Sequence, residues 1–138
     1  MRLKNINGRL VNKNVKRYLI NWNKKSRSAP QLAVKQFLKP YWMHHICYEE
    51  FPVYGTLLKV DILNATKKIA VEVQGRQHSE FNAHFHGTRA GFFNSIGRDE
   101  VKYQWLVDNG FELIEVMESE VKDISLEFIE EKFGISII

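Results

Sequence analysis

Apolar residues return at helical spacing shortly after residue 28, and this pattern predicts the first helix of the chain. Ser28 followed by Pro30 is a typical helix start, because a serine caps the first amides and a proline fits the first turn. From Leu32 to Leu38 the apolar positions form one stripe. Pro40 predicts a stop nearby, since the residue before a proline is disfavoured in a helix. We therefore expect a helix over residues 29–39.

Three segments after this helix are rich in β-branched and aromatic residues and are separated by turn residues, which predicts three strands. They cover approximately residues 46–53, 57–63 and 68–74. The segment from Asn64 to Lys67 is short enough to join the second and third strands as a hairpin.

The remainder of the chain predicts one more strand between two helices. Residues 75–90 show no sustained period and are expected to form a loop. A second helix is expected over 91–109 and a fourth strand over 111–117, followed by an acidic amphipathic helix over 119–133. The predicted order is helix, three strands, helix, strand and helix, which indicates an α/β fold.

Length and cysteine content limit the class of protein. With 138 residues the chain suits one compact domain, and its single cysteine, Cys47, cannot form an internal disulfide. The chain has no apolar leader and no apolar run long enough to cross a membrane. We therefore expect a cytoplasmic protein that is not secreted.

Charge is distributed unevenly along the chain. Residues 1–48 hold eleven Lys or Arg and no acidic residue, whereas the rest holds nine basic residues and all sixteen acidic ones, a balance of −7. We interpret residues 1–28 as a basic N-terminal arm and 29–138 as one catalytic domain. A basic block of this kind binds phosphates through counterion release, although a solvated tail or a partner-binding arm has the same composition. The residues expected to contact DNA are Lys13, Lys16, Arg17, Lys24, Lys25, Arg27 and Arg76.

Alternation along the predicted hairpin separates polar from apolar positions. In the second strand, Val60 and Ile62 are expected on one face and Asp61 on the other. In the third strand, Glu72 and Gln74 share a face. In a suitable register, Asp61 and Glu72 converge at one end of the sheet.

Two converging carboxylates repel each other unless a cation lies between them. Asp, Glu and amide oxygens are hard ligands that suit magnesium, which could polarise a phosphate and activate water. Other interpretations remain open. Glu72 could pair with Lys59 at the surface, and Asp99 could be a charge favourable to a helix dipole. Zinc at His78, His84 and His86 is disfavoured because the spacing matches no zinc module.

Asp61, a ten-residue gap and then Glu72-Val73-Gln74 resemble the Asp...Glu-x-Lys signature of the PD-(D/E)XK nucleases. The resemblance implies a mixed four-stranded sheet flanked by helices, and a double-stranded DNA substrate. It also implies Mg²⁺, with Mn²⁺ as a substitute, held by Asp61 and Glu72. Gln74 takes the place of the lysine that is usually credited with orienting or deprotonating the attacking water.

The segment from Val71 to His78 resembles the very-short-patch repair endonucleases, in which a histidine acts as general acid-base catalyst. Asp61, His78 and Asp99 also match the EDxHD homing endonucleases, whose first glutamate is replaced here by Gln31. The resemblance implies that His78, together with Gln74, positions and deprotonates the attacking water. It also implies that Asp99 orients His78 or a second ion. Glu49 or Glu50 could replace the glutamate, and Lys102 could replace the missing lysine.

These observations lead to the expectation of a metal-dependent DNA endonuclease with Asp61, Glu72, Gln74, His78 and Asp99 as catalytic residues. The homing interpretation adds a phage or mobile-element enzyme acting in a bacterial or phage-infected cell, with a homodimer on DNA as one arrangement. A junction resolvase or nicking repair nuclease of the same fold is an alternative. A nucleic-acid-binding module that has lost catalysis is another.

Overall fold

A computed structural model of the chain describes residues 1–75 and 100–138. Most of the predicted loop and the beginning of the second predicted helix lie outside the described residues. The same holds for five residues singled out in the sequence, namely Arg76, His78, His84, His86 and Asp99.

The main elements follow the predicted order and are preceded by a short hairpin that the sequence did not indicate. The elements are β1 (Arg2–Lys4), β2 (Leu10–Asn12), α1 (Ala29–Trp42), β3 (Cys47–Pro52), β4 (Lys59–Asn64), β5 (Ile69–Gln74), α2 (helical over 100–108), β6 (Glu112–Met117) and α3 (Leu126–Phe133).

Two helix boundaries differ from the prediction. Helix α1 continues past Pro40 to Trp42, whose indole is fully buried and donates to the Ile137 carbonyl at 2.9 Å. This burial outweighs the amide hydrogen bond that the proline lacks. The predicted helix over 119–133 is instead a 3-10 segment, Glu118–Asp123, followed by α3. Ser125 separates them because its side chain caps α3 by accepting from the Phe128 amide at 3.0 Å.

The four long strands form one mixed sheet in the order β3-β4-β5-β6. Strands β3, β4 and β5 are antiparallel neighbours, whereas β5 and β6 are parallel. The predicted hairpin is confirmed, with Ile62 opposite Val71. Coarsely, therefore, the α/β prediction with a mixed four-stranded sheet is confirmed.

Each face of the sheet carries a hydrophobic core. The α1-side core joins Val34, Leu38 and Trp42 of the helix to sheet residues such as Ile62 and Val71. The arm-side core includes Leu3, Val15, Phe51, Val60, Leu63, Trp105 and Leu106. Strands β4 and β5 are therefore covered on both faces, so the charged side chains near their middle, Asp61 and Glu72, lie among buried neighbours.

The first 28 residues, which were interpreted as an arm, pack against this body. Leu3 and Val15 are buried in the arm-side core. The Trp105 indole donates to the Lys4 carbonyl at 2.7 Å, and the Ile20 amide donates to the Cys47 carbonyl at 3.0 Å. None of the helices in the described ranges is both long and apolar enough to traverse a membrane.

Candidate active site

Asp61 lies where the side-chain alternation of two strands changes. The register places Glu49 opposite Ile62 and Phe51 opposite Val60, so Glu50 and Asp61 lie between these pairs. Glu50 has a φ of 53°, which is uncommon for a residue with a side chain. The expectation that Val60 and Ile62 share a face is wrong, because Val60 packs in the arm-side core and Ile62 in the α1-side core. At this irregular point in the backbone, the alternation of side chains between the two faces of the sheet is therefore interrupted at Asp61.

The structure brings Asp61 and Glu72 together through reciprocal backbone contacts. The Asp61 amide donates to Glu72 Oε2 at 2.8 Å, and the Val73 amide donates to Asp61 Oδ2 at 2.8 Å. Both residues are buried, with 5% and 2% of their surface exposed. One oxygen of each carboxylate is therefore fixed by the sheet backbone, which orients the other.

The second oxygen of each carboxylate faces a positive side chain. Lys102 of α2 donates through Nζ to Glu72 Oε1. Arg27 approaches Asp61 Oδ1 at 3.5 Å and Glu50 Oε1 at 3.8 Å. The alternative pairing of Glu72 with Lys59 is wrong, because Lys59 is exposed and Lys102 takes the carboxylate.

Glu72 has a strongly perturbed protonation equilibrium. Burial, and after it the neighbouring Asp61 charge, raise the pKa of its carboxyl from 4.5 to about 8 against the opposing effect of Lys102. Glu72 therefore binds a proton more readily than an ordinary glutamate. Perturbed acids of this kind are common at functional sites.

Gln74 contacts a residue that sequence reasoning missed. Its amide nitrogen donates to Glu115 Oε1 at 3.0 Å, which directs the amide oxygen away from that carboxylate. Glu115 lies beside Glu72 in the parallel register of β5 and β6. The alternation of β6 around Ile114 and Val116 was the signal for it, because those two buried residues leave Glu115 on the other face.

A second polar cluster links α1 to β3. Lys35 is fully buried and pairs with Glu49 Oε1 at 2.8 Å, while its Nζ also donates to the Lys24 carbonyl at 3.1 Å. Gln31 donates to Glu49 at 3.0 Å and to Glu50 at 3.1 Å. Within residues 1–75 and 100–138, the buried Gln31 Oε1 has no hydrogen-bond partner.

This cluster bears on the suggestion that Glu49 or Glu50 replaces the first glutamate of the EDxHD homing endonucleases, which the sequence resembles. Glu49 is occupied by Lys35, whereas Glu50 is connected to Asp61 through Arg27. Glu50 is therefore the nearer of the two to the acidic pair. Lys35 itself was missed, although Gln31, Val34, Lys35, Leu38 and Trp42 share one helical stripe in the sequence.

The residues expected to contact DNA are accessible where the structure describes them. Lys13, Lys16, Arg17, Lys24, Lys25 and Arg27 are all exposed. Of these, Arg27 is the one that reaches the acidic pair through an ion pair. A basic surface and the Asp61–Glu72 pair thus meet at Arg27.

The donor set suits a hard divalent cation. Asp61 Oδ1 and Glu72 Oε1 are the two carboxylate oxygens that accept no backbone hydrogen bond. In the structure these oxygens face the side chains of Arg27 and Lys102. Magnesium commonly binds through one or two carboxylates plus waters and phosphate oxygens. Among the described residues there is no cluster of three or more His, Cys, Asp or Glu side chains that could hold a metal.

Comparison with known proteins finds viral relatives of part of the chain, whereas no protein-family model and no solved structure matches it. Uncharacterized protein 033L of Invertebrate iridescent virus 3 is 40% identical over 65 residues, which are 47% of this chain and 34% of that protein. Uncharacterized protein 307L of Invertebrate iridescent virus 6 is 42% identical over 67 residues, 49% of this chain and 34% of that protein. The matched part spans about a third of the length of each relative.

Proposed function

We propose that this chain is a metal-dependent endonuclease of the PD-(D/E)XK type that hydrolyses phosphodiester bonds of double-stranded DNA in the cytoplasm. The observation that carries the proposal is the buried Asp61–Glu72 pair, locked by two backbone hydrogen bonds on neighbouring strands. A buried pair of acids is costly unless a cation or a proton compensates it. Two buried acids held side by side on neighbouring strands favour a chemical role.

Asp61 Oδ1 and Glu72 Oε1 would hold Mg²⁺, with Mn²⁺ as a substitute. The ion would polarise the scissile phosphate and lower the pKa of the attacking water. The backbone amides of Asp61 and Val73 keep both carboxylates in place.

The remaining roles fall to side chains around the pair. Lys102 Nζ lies against Glu72 and supplies the positive charge that a lysine at the position of Gln74 supplies in the resembled nucleases. Gln74, oriented by Glu115, would position the water through its amide oxygen. His78 would take the proton of that water, with Asp99 orienting its imidazole.

DNA would be held by the exposed basic residues of the first 28 positions and by Arg76. Arg27 has a double part in this scheme. In the structure it pairs with Asp61 and Glu50, and a metal at the acidic pair would release its guanidinium for a phosphate. Within this proposal the chain is the catalytic part of a phage or mobile-element homing enzyme, and a homodimer would cut both strands.

Cleavage of supercoiled plasmid tests the proposal, with the protein and its Asp61→Asn variant each assayed in Mg²⁺, in Mn²⁺ and in EDTA. We expect nicked and linear product only with metal and only with Asp61 present, and a loss of at least about a hundredfold in the variant. Asp108→Asn is the matched control, because Asp108 lies on the exposed side of α2 and accepts only from Gln104 in the described contacts. Cleavage that persists at an equal rate in Asp61→Asn would refute the proposal.

A nucleic-acid-binding module without catalysis is the second candidate, and one observation favours it. Lys102 and Arg27 already compensate Glu72 and Asp61, so these acids are neutralised without a metal. Binding that is unaffected by EDTA, with no cleavage in either metal, would support this candidate. Cleavage of branched DNA with no cutting of linear duplex would instead indicate a junction resolvase of the same fold.

A further inference from the structure

A groove with mixed aromatic and basic walls lies between the segment 19–25 and helix α1. It consists of two cavities of about 540 and 370 Å³ that share Trp22, Asn23 and Lys39. Lys24 and Lys25 border the smaller cavity, and Leu19 and Met43 border the larger. This groove lies beside the α1-side core, against which Trp22 packs.

The side chains that line the groove are complementary to a nucleotide. Trp22 is half-buried and lines both cavities, which makes it the aromatic residue on which a base could stack. Leu19 and Met43 are about half exposed, at 52% and 47%, and extend the apolar wall. Lysines border both cavities, and there are no acidic residues among the first 48 positions to oppose a phosphate. An aromatic platform next to a basic track is how proteins bind single-stranded nucleic acid.

Asn23 organises the shared wall. Its Oδ1 accepts from Lys39 Nζ at 3.0 Å, which holds that ammonium at the junction of the two cavities. The Asn23 amide donates in turn to Asn21 Oδ1 at 3.0 Å. The segment 21–23 is therefore held by its own hydrogen bonds, which reduces the entropy lost on binding.

We propose that this groove binds an unpaired nucleotide of single-stranded DNA, with its base on Trp22 and its phosphates on Lys24, Lys25 and Lys39. The choice of DNA rests on the proposed nuclease function. The volume of each cavity is in the range of small-molecule sites, which is enough for one nucleotide. A base can stack on an indole only when it is not stacked within a helix.

The groove connects to the acidic pair through a short stretch of chain. Arg27 contacts Asp61, and Lys25 is two residues before it, so their Cα atoms are at most about 7 Å apart. The Lys24 carbonyl is anchored to the buried Lys35, which fixes this stretch to α1. A strand lying along Lys25 and Arg27 would therefore lead from the groove towards the acidic pair.

Tryptophan fluorescence in EDTA tests the proposal directly. Trp42 and Trp105 are fully buried, so a quencher that reaches an indole in this chain of three tryptophans acts on Trp22. We expect a short oligothymidylate to quench the emission, and Trp22→Phe to remove the quenching. In an anisotropy titration, Trp22→Ala should weaken oligothymidylate binding about five- to a hundredfold.

Further variants and competitors complete the test. Lys39→Ala should weaken oligothymidylate binding, whereas Lys122→Ala, an exposed lysine outside the groove, should leave it unchanged. Equal quenching by heparin or an acidic peptide would overturn the proposal, because neither carries a base. Equal competition by blunt duplex would overturn it as well. Oligothymidylate binding at Trp22 without any DNA cleavage would refute the nuclease and leave the groove intact, whereas cleavage without quenching would do the reverse.

Discussion

At the scale of single residues, Arg27 contacts Asp61 and Lys102 contacts Glu72, and of these two the sequence had already suggested Lys102 as a lysine that could serve the site. The spacing of the predicted hairpin was enough to bring Asp61 and Glu72 together, although the alternation expected around Asp61 was wrong. Lys102 and Arg27 reach them from a helix and from the first 28 residues, and such long-range contacts leave no periodic signal. Gln74 was correctly seen as a strand residue on this face, but its partner Glu115 depends on the parallel pairing with β6.

Stability should depend on pH through Glu72. Its pKa is raised in the folded protein, so the stability present below pH 4.5 should be lost as the pH rises towards about 8. The upper limit of this loss is about 5 kcal/mol, because one pKa unit corresponds to about 1.4 kcal/mol. Urea denaturation in EDTA at pH 5 and pH 8 measures it.

Glu72→Gln should remove most of that decline, and Glu130→Gln, at an exposed position on α3, should retain it. A decline of the same size in Glu72→Gln and in the unchanged protein would contradict the assignment. The metal must be absent, since a bound cation stabilises the ionised carboxylate and counteracts the effect.

At the scale of elements, prediction succeeded where periodicity was strong. The hairpin of β4 and β5 and the strand β6 were predicted within a residue or two. The short strands β1 and β2 were missed, because three residues are too few to show alternation. The change of face at Asp61 was missed for another reason. It depends on the positive φ of Glu50, a residue type that gives no warning of that conformation.

The contact between the first hairpin and the turn after β3 should be sensitive to glycine replacement. Gly55 has a φ of 99°, and a Cβ there would lie 2.6 Å from Ile6 Cγ1. Gly8 has a φ of 81° but has open space around it. Gly55→Ala should therefore cost about 1–3 kcal/mol more than Gly8→Ala, since it adds a steric clash to a similar backbone strain.

Thermal or urea denaturation of both variants measures this difference, and an Ile6→Ala background provides the control. Removal of the Ile6 side chain should bring the two glycine replacements to nearly equal cost. If the two replacements still differ in cost by the same amount in the Ile6→Ala background, the greater cost of Gly55→Ala does not come from a clash with Ile6.

At the scale of the whole molecule, the proposed function depends on the uneven distribution of charge along the chain. The basic first third packs on the sheet without losing its exposed lysines and arginines, and Arg27 brings it to the acidic pair. Composition alone showed the charge block, which was interpreted as a basic N-terminal arm, but not how that segment packs. The burial of Leu3 and Val15 shows why composition could not decide this, since a few apolar residues are enough to attach the segment.

Duplex binding in EDTA should weaken as salt increases, because phosphate contacts release counterions. Lys16→Ala should reduce the slope of log affinity against log salt by about 0.9, the value for one phosphate contact on duplex DNA. Lys122→Ala on the acidic C-terminal side should not change it. Identical slopes for the two variants would remove Lys16 from the DNA-binding surface.

The most direct test of the account is calorimetric titration of Mn²⁺ and Mg²⁺ into the protein and into Asp61→Asn, with Asp108→Asn as the control. We expect the protein and the control to bind the metal more tightly at pH 8 than at pH 5, because the raised pKa of Glu72 makes the metal compete with a proton there. Asp61→Asn should bind the metal at least about tenfold more weakly than the protein. Metal binding that is equally strong in Asp61→Asn, or that does not change between the two pH values, would contradict it.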